Sequence, residues 1–97
     1  MSTQPIMILL DALGRRWALR ILWELRGDPL TFRALQEACG NLSPSVLAER
    51  LRELGEMAIV EKVGEGYALS NDGRQLGDLL LPLDGWARRW ARRRDPK

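Results

Sequence analysis

Residues 42–54, LSPSVLAERLREL, constrain the fold of this chain more than any other segment. Ser43 is a favourable helix N-cap, and Pro44 suits the first helical position, where a missing N–H costs nothing. Leu47, Leu51 and Leu54 follow the i, i+4, i+7 spacing of one helix face. Ser45, Glu49 and Arg52 then fall on the opposite side. The segment therefore needs an apolar neighbour on one face and leaves small, hydrogen-bonding groups and an arginine on the other. A DNA major groove admits a helix of this kind. An ordinary surface helix has the same pattern, so the neighbouring segments have to decide.

Those neighbours are legible from periodicity and turn chemistry. Residues 6–13 are apolar and helical in pattern, and Gly14 breaks them. Residues 15–26 resume with Trp17, Ile21, Leu22 and Leu25 at helical spacing and stop at Gly27, Asp28 and Pro29. Thr31 is placed to cap a short helix running through Ala38, with Phe32, Leu35 and Ala38 facing inward. Gly40 and Asn41 make the turn into the helix over 43–54. The run AIVEKV at 58–63 is strand-like, Gly64, Glu65 and Gly66 suffice only for a hairpin turn, and Tyr67, Ala68 and Leu69 return as a second strand. Residues 58–69 thus form a short wing. Ser70 or Asn71 caps a last helix over 71–94 that carries Leu76, Leu79, Leu80, Leu83, Trp86 and Trp90, and Pro82 inside it implies a kink or a restart.

Two helices joined by a tight turn and followed by a small hairpin make a winged helix-turn-helix. The expected fold class is mainly α with a small β-hairpin and long terminal helices. With 97 residues the chain is one domain over 1–97, and 45% hydrophobic residues supply a core. There is no His, which removes the commonest general base and the commonest metal ligand. No nucleophile–base pair replaces it, so no catalytic residue, metal site or cofactor is expected. The single Cys39 excludes a disulfide within the chain, points to a reducing compartment, and reads as a small buried hydrophobe at a helix end. No run of about 18 apolar residues occurs, and no basic stretch precedes the apolar start. The expectation is a cytoplasmic protein with no membrane span.

The net charge of +2 is unevenly distributed. Residues 86–97 hold Arg88, Arg89, Arg92, Arg93, Arg94 and Lys97 against Asp95, which is +5; the other 85 residues hold nine bases and twelve acids, which is −3. The basicity belongs to the tail, which is expected to be a solvated helix end. Residues 43–54 are neutral, with Arg50 and Arg52 set against Glu49 and Glu53. Arg50 lies nearer the buried edge than Arg52 and is expected to be partly structural.

Taken in order, the motifs resemble the HxlR family of winged-helix transcriptional regulators, relatives of the MarR group. Gly14, Arg15, Arg16 and Trp17 followed by Ile21 and Leu22 resemble the family's opening G-G-K-W-x-x-x-I-L. Phe32 and Leu35 match R-F-x-x-L. Leu42, Ser43, Pro44, Leu47, Arg50, Leu51 and Leu54 match I-S-x-x-x-L-x-x-R-L-x-x-L, the recognition helix. Tyr67 through Gly73 resembles Y-x-L-T-x-x-G, and Pro82 and Trp90 have the spacing of the closing helix. The resemblance spans Gly14 to Trp90. The chain departs from it in four places. Thr31 stands where the family has a basic residue, and Ala58 where a glycine precedes the first wing strand. The wing turn is short and acidic, and the N-terminal sensing cysteine of many members is missing, so that mode of sensing is not carried over.

The resemblance implies a homodimer held by the first and last helices. Leu79, Leu83, Trp86 and Trp90 form a stripe larger than a small body buries alone, and Ile6 and Leu9 join them as dimerisation candidates. Ser43, Pro44, Ser45, Ala48, Glu49 and Arg52 are candidates for contact with double-stranded DNA, and Thr31, Arg33 and Lys62 are secondary phosphate contacts. Function is then regulation, by repression at a pseudo-palindromic operator with half-sites about 34 Å apart. Trp17, Trp86 and Trp90 are candidates for lining a pocket for a small aromatic effector, ranked below dimer packing. The alternative is a winged-helix interaction module that has lost specific DNA binding, which the acidic wing and negative body favour.

Overall fold

Leu47, Leu51 and Leu54 share one apolar cluster with Ile21, Leu22, Leu25, Leu35 and Cys39, and the remaining architecture is arranged around that core. The computed structural model describes residues 4–94. In chain order the elements are α1 (Pro5–Leu13), α2 (Ala18–Glu24), β1 (Leu30–Thr31), α3 (Phe32–Ala38), α4 (Pro44–Glu56), β2 (Val60–Val63), β3 (Gly66–Leu69) and α5 (Asn71–Arg94). Ile59, Val60 and Leu69 seal the core from the sheet side. Each fully buried leucine or isoleucine contributes about 1.5–3 kcal/mol of hydrophobic stabilisation. Phe32 and Ala38 are only half-buried.

Three local details differ from the sequence expectation. The helix expected from residue 15 starts at Ala18, because Trp17 takes the left-handed conformation at φ 77°. A bulky residue there is a steric outlier; its ring is held by packing against the core and by the Arg16 guanidinium 5.5 Å away. The hairpin is part of a three-stranded sheet in the order β1-β3-β2, since Leu30 and Thr31 pair antiparallel with Tyr67 and Gly66. A Cβ on Gly66 would lie 2.9 Å from the Leu30 carbonyl oxygen, so the strand pairing depends on glycine there. The first wing strand begins at Val60 rather than 58, because Ala58 sits at φ 59° and ends the preceding helix.

The last helix is continuous through Pro82, so no restart occurs. Its cap is Ser70, whose Oγ accepts from the Gly73 N–H at 3.0 Å and donates to the Ala58 carbonyl at 2.6 Å. Gly73 and Gly77 are the buried residues of α5. A Cβ at Gly73 would stand 2.1 Å from the Ile59 carbonyl oxygen, so the helix seats against the sheet only with glycine.

Along α1 and α5 a set of large apolar side chains stays exposed: Ile6, Met7, Ile8 and Leu10, then Leu79, Leu81, Leu83, Trp86 and Trp90. Trp86 and Trp90 stack with ring centroids 5.9 Å apart. Among the described residues no helix is long and apolar enough to cross a membrane. Asp95 and Lys97 of the basic tail lie outside the described residues.

Candidate nucleic-acid interface

The turn between α3 and α4 is built twice over. The first α3 turn is capped by Thr31, whose Oγ1 accepts from the Ala34 N–H at 3.1 Å. Its end is closed by two bonds, Gly40 N–H to the Glu37 carbonyl and Asn41 N–H to the Gln36 carbonyl, with Gly40 at φ 77°. This is a Schellman arrangement, and only glycine enters the left-handed position freely. Gln36 Nε2 then donates to the Leu42 carbonyl at 2.9 Å, and Arg20 reaches from α2 to the Ala38 carbonyl at 2.7 Å. The angle at which α4 leaves the body is therefore fixed by side chains of α2 and α3.

The start of α4 differs from the expected cap. Ser43 occupies the N-cap position and Pro44 the first helical one, but the Ser43 hydroxyl makes no bond to the helix backbone. It pairs instead with the Ser45 hydroxyl at 3.0 Å. The first-turn N–H groups are left to solvent or to an incoming anion.

On the outer face, Ser43, Pro44, Ser45, Ala48, Glu49 and Arg52 are all exposed, opposite the buried Leu47, Leu51 and Leu54. The helix runs two residues beyond the expected end and gains Glu56, so its charge is −1, two arginines against Glu49, Glu53 and Glu56. Arg52 is engaged along the helix. Its Nη2 and Nε donate to the two carboxylate oxygens of Glu49, and its Nη1 donates to Glu56 at 2.8 Å. The Arg52 hydrogen bond holds the Glu49 carboxyl below the usual carboxylate range, and Glu49 in turn raises Arg52 further above its ordinary value. Arg50 is different: half-buried, it donates from Nε to the Arg16 carbonyl at 2.9 Å and pairs with Glu53 at 3.2 Å. It ties α4 to the loop before α2, as its position near the buried edge suggested.

The secondary candidates lie on other elements. Arg33 is exposed on α3, 3.8 Å from Glu37. Thr31 is committed to its cap and to β1. Lys62 is exposed on β2, 5.7 Å from the Tyr67 ring. The wing tip is a two-residue connection, Gly64 at φ 60° followed by Glu65, between the paired Val63 and Gly66. Glycine leading such a loop suits the twist of a hairpin.

Of the dimerisation candidates, Ile6, Leu79, Leu83, Trp86 and Trp90 are exposed, while Leu9 is half-buried against the core. The effector candidates are not brought together. Trp17 borders a groove with Leu13, Leu19 and Arg20, whereas an apolar groove of about 200 Å³ between α2 and α5 is lined by Leu19, Trp23, Leu80, Leu83, Asp84 and Ala87. Neither groove includes Trp86 or Trp90. Sequence reasoning passed over Trp23 and Glu56; for Glu56 the i+4 spacing from Arg52 was the available signal.

A family model for the HxlR-like helix-turn-helix matches residues 12–95. The uncharacterized HTH-type transcriptional regulator YvaP of Bacillus subtilis is 32% identical over 87 residues, spanning 82% of this chain and 81% of its own. The HTH-type transcriptional regulator YodB of Bacillus subtilis is 33% identical over 82 residues, spanning 77% and 73%. The crystal structure of quinone-bound YodB superposes with a TM-score of 0.80 at 31% identity, covering 87% of this chain and 96% of that one. A MarR-family regulator from Enterococcus faecalis V583 shares the fold at a TM-score of 0.81 and 24% identity.

Proposed function

This chain belongs to the HxlR-like helix-turn-helix family of transcriptional regulators, and from that premise we propose that it works as a homodimeric repressor on a pseudo-palindromic operator. It is a DNA-binding regulator and not an enzyme. The observation that carries the finer proposal is the division of α4. Leu47, Leu51 and Leu54 anchor it in the core, leaving Ser43, Pro44, Ser45, Ala48, Glu49 and Arg52 free to enter a major groove. The free first-turn N–H groups take a phosphate, Arg33 on α3 and Lys62 on the wing take others, and Arg52 reads a base. The whole chain, 1–97, acts as a single domain, with 43–54 as recognition helix, 58–69 as wing and 71–94 as dimerisation helix. Ile6, Leu9, Leu79, Leu83, Trp86 and Trp90 meet across the two-fold, setting half-sites about 34 Å apart. The likeness to YodB, solved with a quinone bound, supports a planar aromatic effector, taken at the Trp17 groove or at the stacked Trp86 and Trp90 pair rather than in one pocket shared by all three. The cytoplasm is the proposed location.

Selection of bound sequences from a random duplex pool, followed by a salt titration, tests this. Each neutralised phosphate contributes about −0.9 to the slope of log K against log salt, so four contacts from two copies of Arg33 and Lys62 give a slope of about −3.6. Arg52→Ala is expected to weaken the best site by about 1–3 kcal/mol and relax preference at one base pair. Unchanged preference removes Arg52 from the base readers. The paired state of Arg52 and the acidic wing tip favour a second reading, a protein-interaction module. Failure of the parent to bind any duplex at low salt selects that reading.

A further inference from the structure

We propose that Glu49 and Glu56 are specificity-determining residues that hold the Arg52 guanidinium away from DNA phosphates and release it only to a base edge, that of a G·C pair. The inference rests on α4 being the helix that enters the groove.

Arg52 sits between two carboxylates on the exposed face of α4, Glu49 one turn before it and Glu56 one turn after. All three of its guanidinium nitrogens are occupied. Nε and Nη2 form a fork on the two oxygens of Glu49, and Nη1 bonds to Glu56 at 2.8 Å. The three side chains remain open to solvent, at 53%, 48% and 67% for Arg52, Glu49 and Glu56, so water and ligands reach the clamp and it can open. Arg50, three-dimensionally fixed by the Arg16 carbonyl and Glu53 with 19% exposure, is the contrasting case of an arginine spent on structure.

The charge of the triad is −1, one guanidinium against two carboxylates. A DNA phosphate approaching it meets net repulsion and offers Arg52 no more than the carboxylate it already has. Guanine offers something different: two neutral acceptors, O6 and N7, in the fork spacing that Glu49 now fills. The cytosine paired with that guanine carries an amino donor, which the vacated Glu49 carboxylate accepts. Glu56 keeps its bond to Nη1 throughout and preserves the orientation of the guanidinium. A G·C pair thus satisfies every group in the triad, while a phosphate leaves Glu49 unpaired beside its negative charge. Affinity for random DNA is given up, and discrimination is gained.

The test compares the parent, Glu56→Gln and the Glu49→Gln/Glu56→Gln double variant by fluorescence anisotropy on a selected operator and on a random duplex across a salt series. Circular dichroism checks the helix content of each. With the clamp open, Arg52 is free for phosphates. The random-duplex salt slope is then expected to steepen by about 0.9 per protomer in the double variant. The ratio of operator to random affinity is expected to fall roughly tenfold from the usual range. Glu56→Gln, which removes no base contact, is expected to move both readouts in the same direction. Unchanged slope and ratio in variants that still bind overturn the clamp. If Arg52→Ala also loses operator preference in that case, the groove reading stands without it. Absence of binding by the parent at low salt overturns both.

Discussion

The end of α4 repeats the closure at the end of α3, with one residue out of place. At the end of α3, Gly40 occupies the left-handed position of the Schellman motif. At the end of α4, the Ala58 N–H bonds to the Gly55 carbonyl and the Ile59 N–H to the Leu54 carbonyl, both at 3.0 Å, and Ala58 is in the left-handed position at φ 59°. The apolar partners of the motif, Leu54 and Ile59, are both buried. An L-residue pays about 1–2 kcal/mol in that conformation. Glycine avoids this but adds about 0.4–1 kcal/mol of chain entropy to the unfolded state. The difference leaves Ala58→Gly stabilising by about 0.5–1 kcal/mol, since the exposed methyl of Ala58 contributes little packing. Gly40→Ala is the mirror experiment. A Cβ there meets nothing within 4 Å, so its cost is conformational alone and is expected to be of the same size with opposite sign. In a domain of this length 1 kcal/mol moves Tm by about 4–8 °C. Urea unfolding at fixed protein concentration is the assay, with the midpoint shifting and the m value constant. A midpoint for Ala58→Gly equal to or below that of the parent, with Gly40→Ala destabilising as expected, would refute the equivalence of the two caps.

Other expectations are simpler to state. Gly73→Ala drives a methyl against the Ile59 carbonyl, 2.1 Å away, and is expected to cost about 3 kcal/mol or more; a near-parental thermal melt would contradict the close seating of α5. Burial pushes the Cys39 thiol above its ordinary value. The folded state then favours the protonated form, so this contribution to stability is present below the free thiol value of about 8.5 and is lost as pH rises above it. Relative to Cys39→Ala, parental stability is expected to decline above that pH, and parallel curves would show that burial does not govern the thiol. Trp90→Ala removes one ring of the exposed stacked pair and is expected to weaken self-association in sedimentation at micromolar concentration. A parent that is monomeric there would remove the proposed role of the stripe.

The parts of the fold that were legible in the sequence are those decided locally. The leucine spacing of α4, the Thr31 cap, the glycine at position 40 and the serine before α5 each act within a few residues, and each does so in the structure. What was not legible depends on partners distant in sequence. β1 is two residues long and exists because Gly66 lets the Leu30 backbone approach, a contact between positions 36 apart. Trp17 has no local reason to leave the helical region; the core that receives its ring is assembled from α2 through β3. Pro82 does not interrupt the helix, because the carbonyl it leaves without a helical partner belongs to Asp78, an exposed residue of α5.

The candidate site divides along the same line. Which residues face outward from α4 follows from its period, but their availability follows from their neighbours. Arg33, Arg50 and Arg52 are the basic residues of α3 and α4, and each lies within an ion pair. Arg50 is further bound to a backbone carbonyl. Lys62, over the Tyr67 ring, is the basic residue of the wing. A surface of this composition attracts the phosphate backbone weakly, because sequence-independent affinity grows with the number of charges released to phosphates. Discrimination among sequences has a different origin, in which acceptors and donors are left unsatisfied on the wrong base pair. A face with paired charges and small hydroxyls is poor at the first task and suited to the second. In the homodimer proposed above, two such faces recover affinity through geometry, since the second half-site is engaged at a high effective concentration once the first is held.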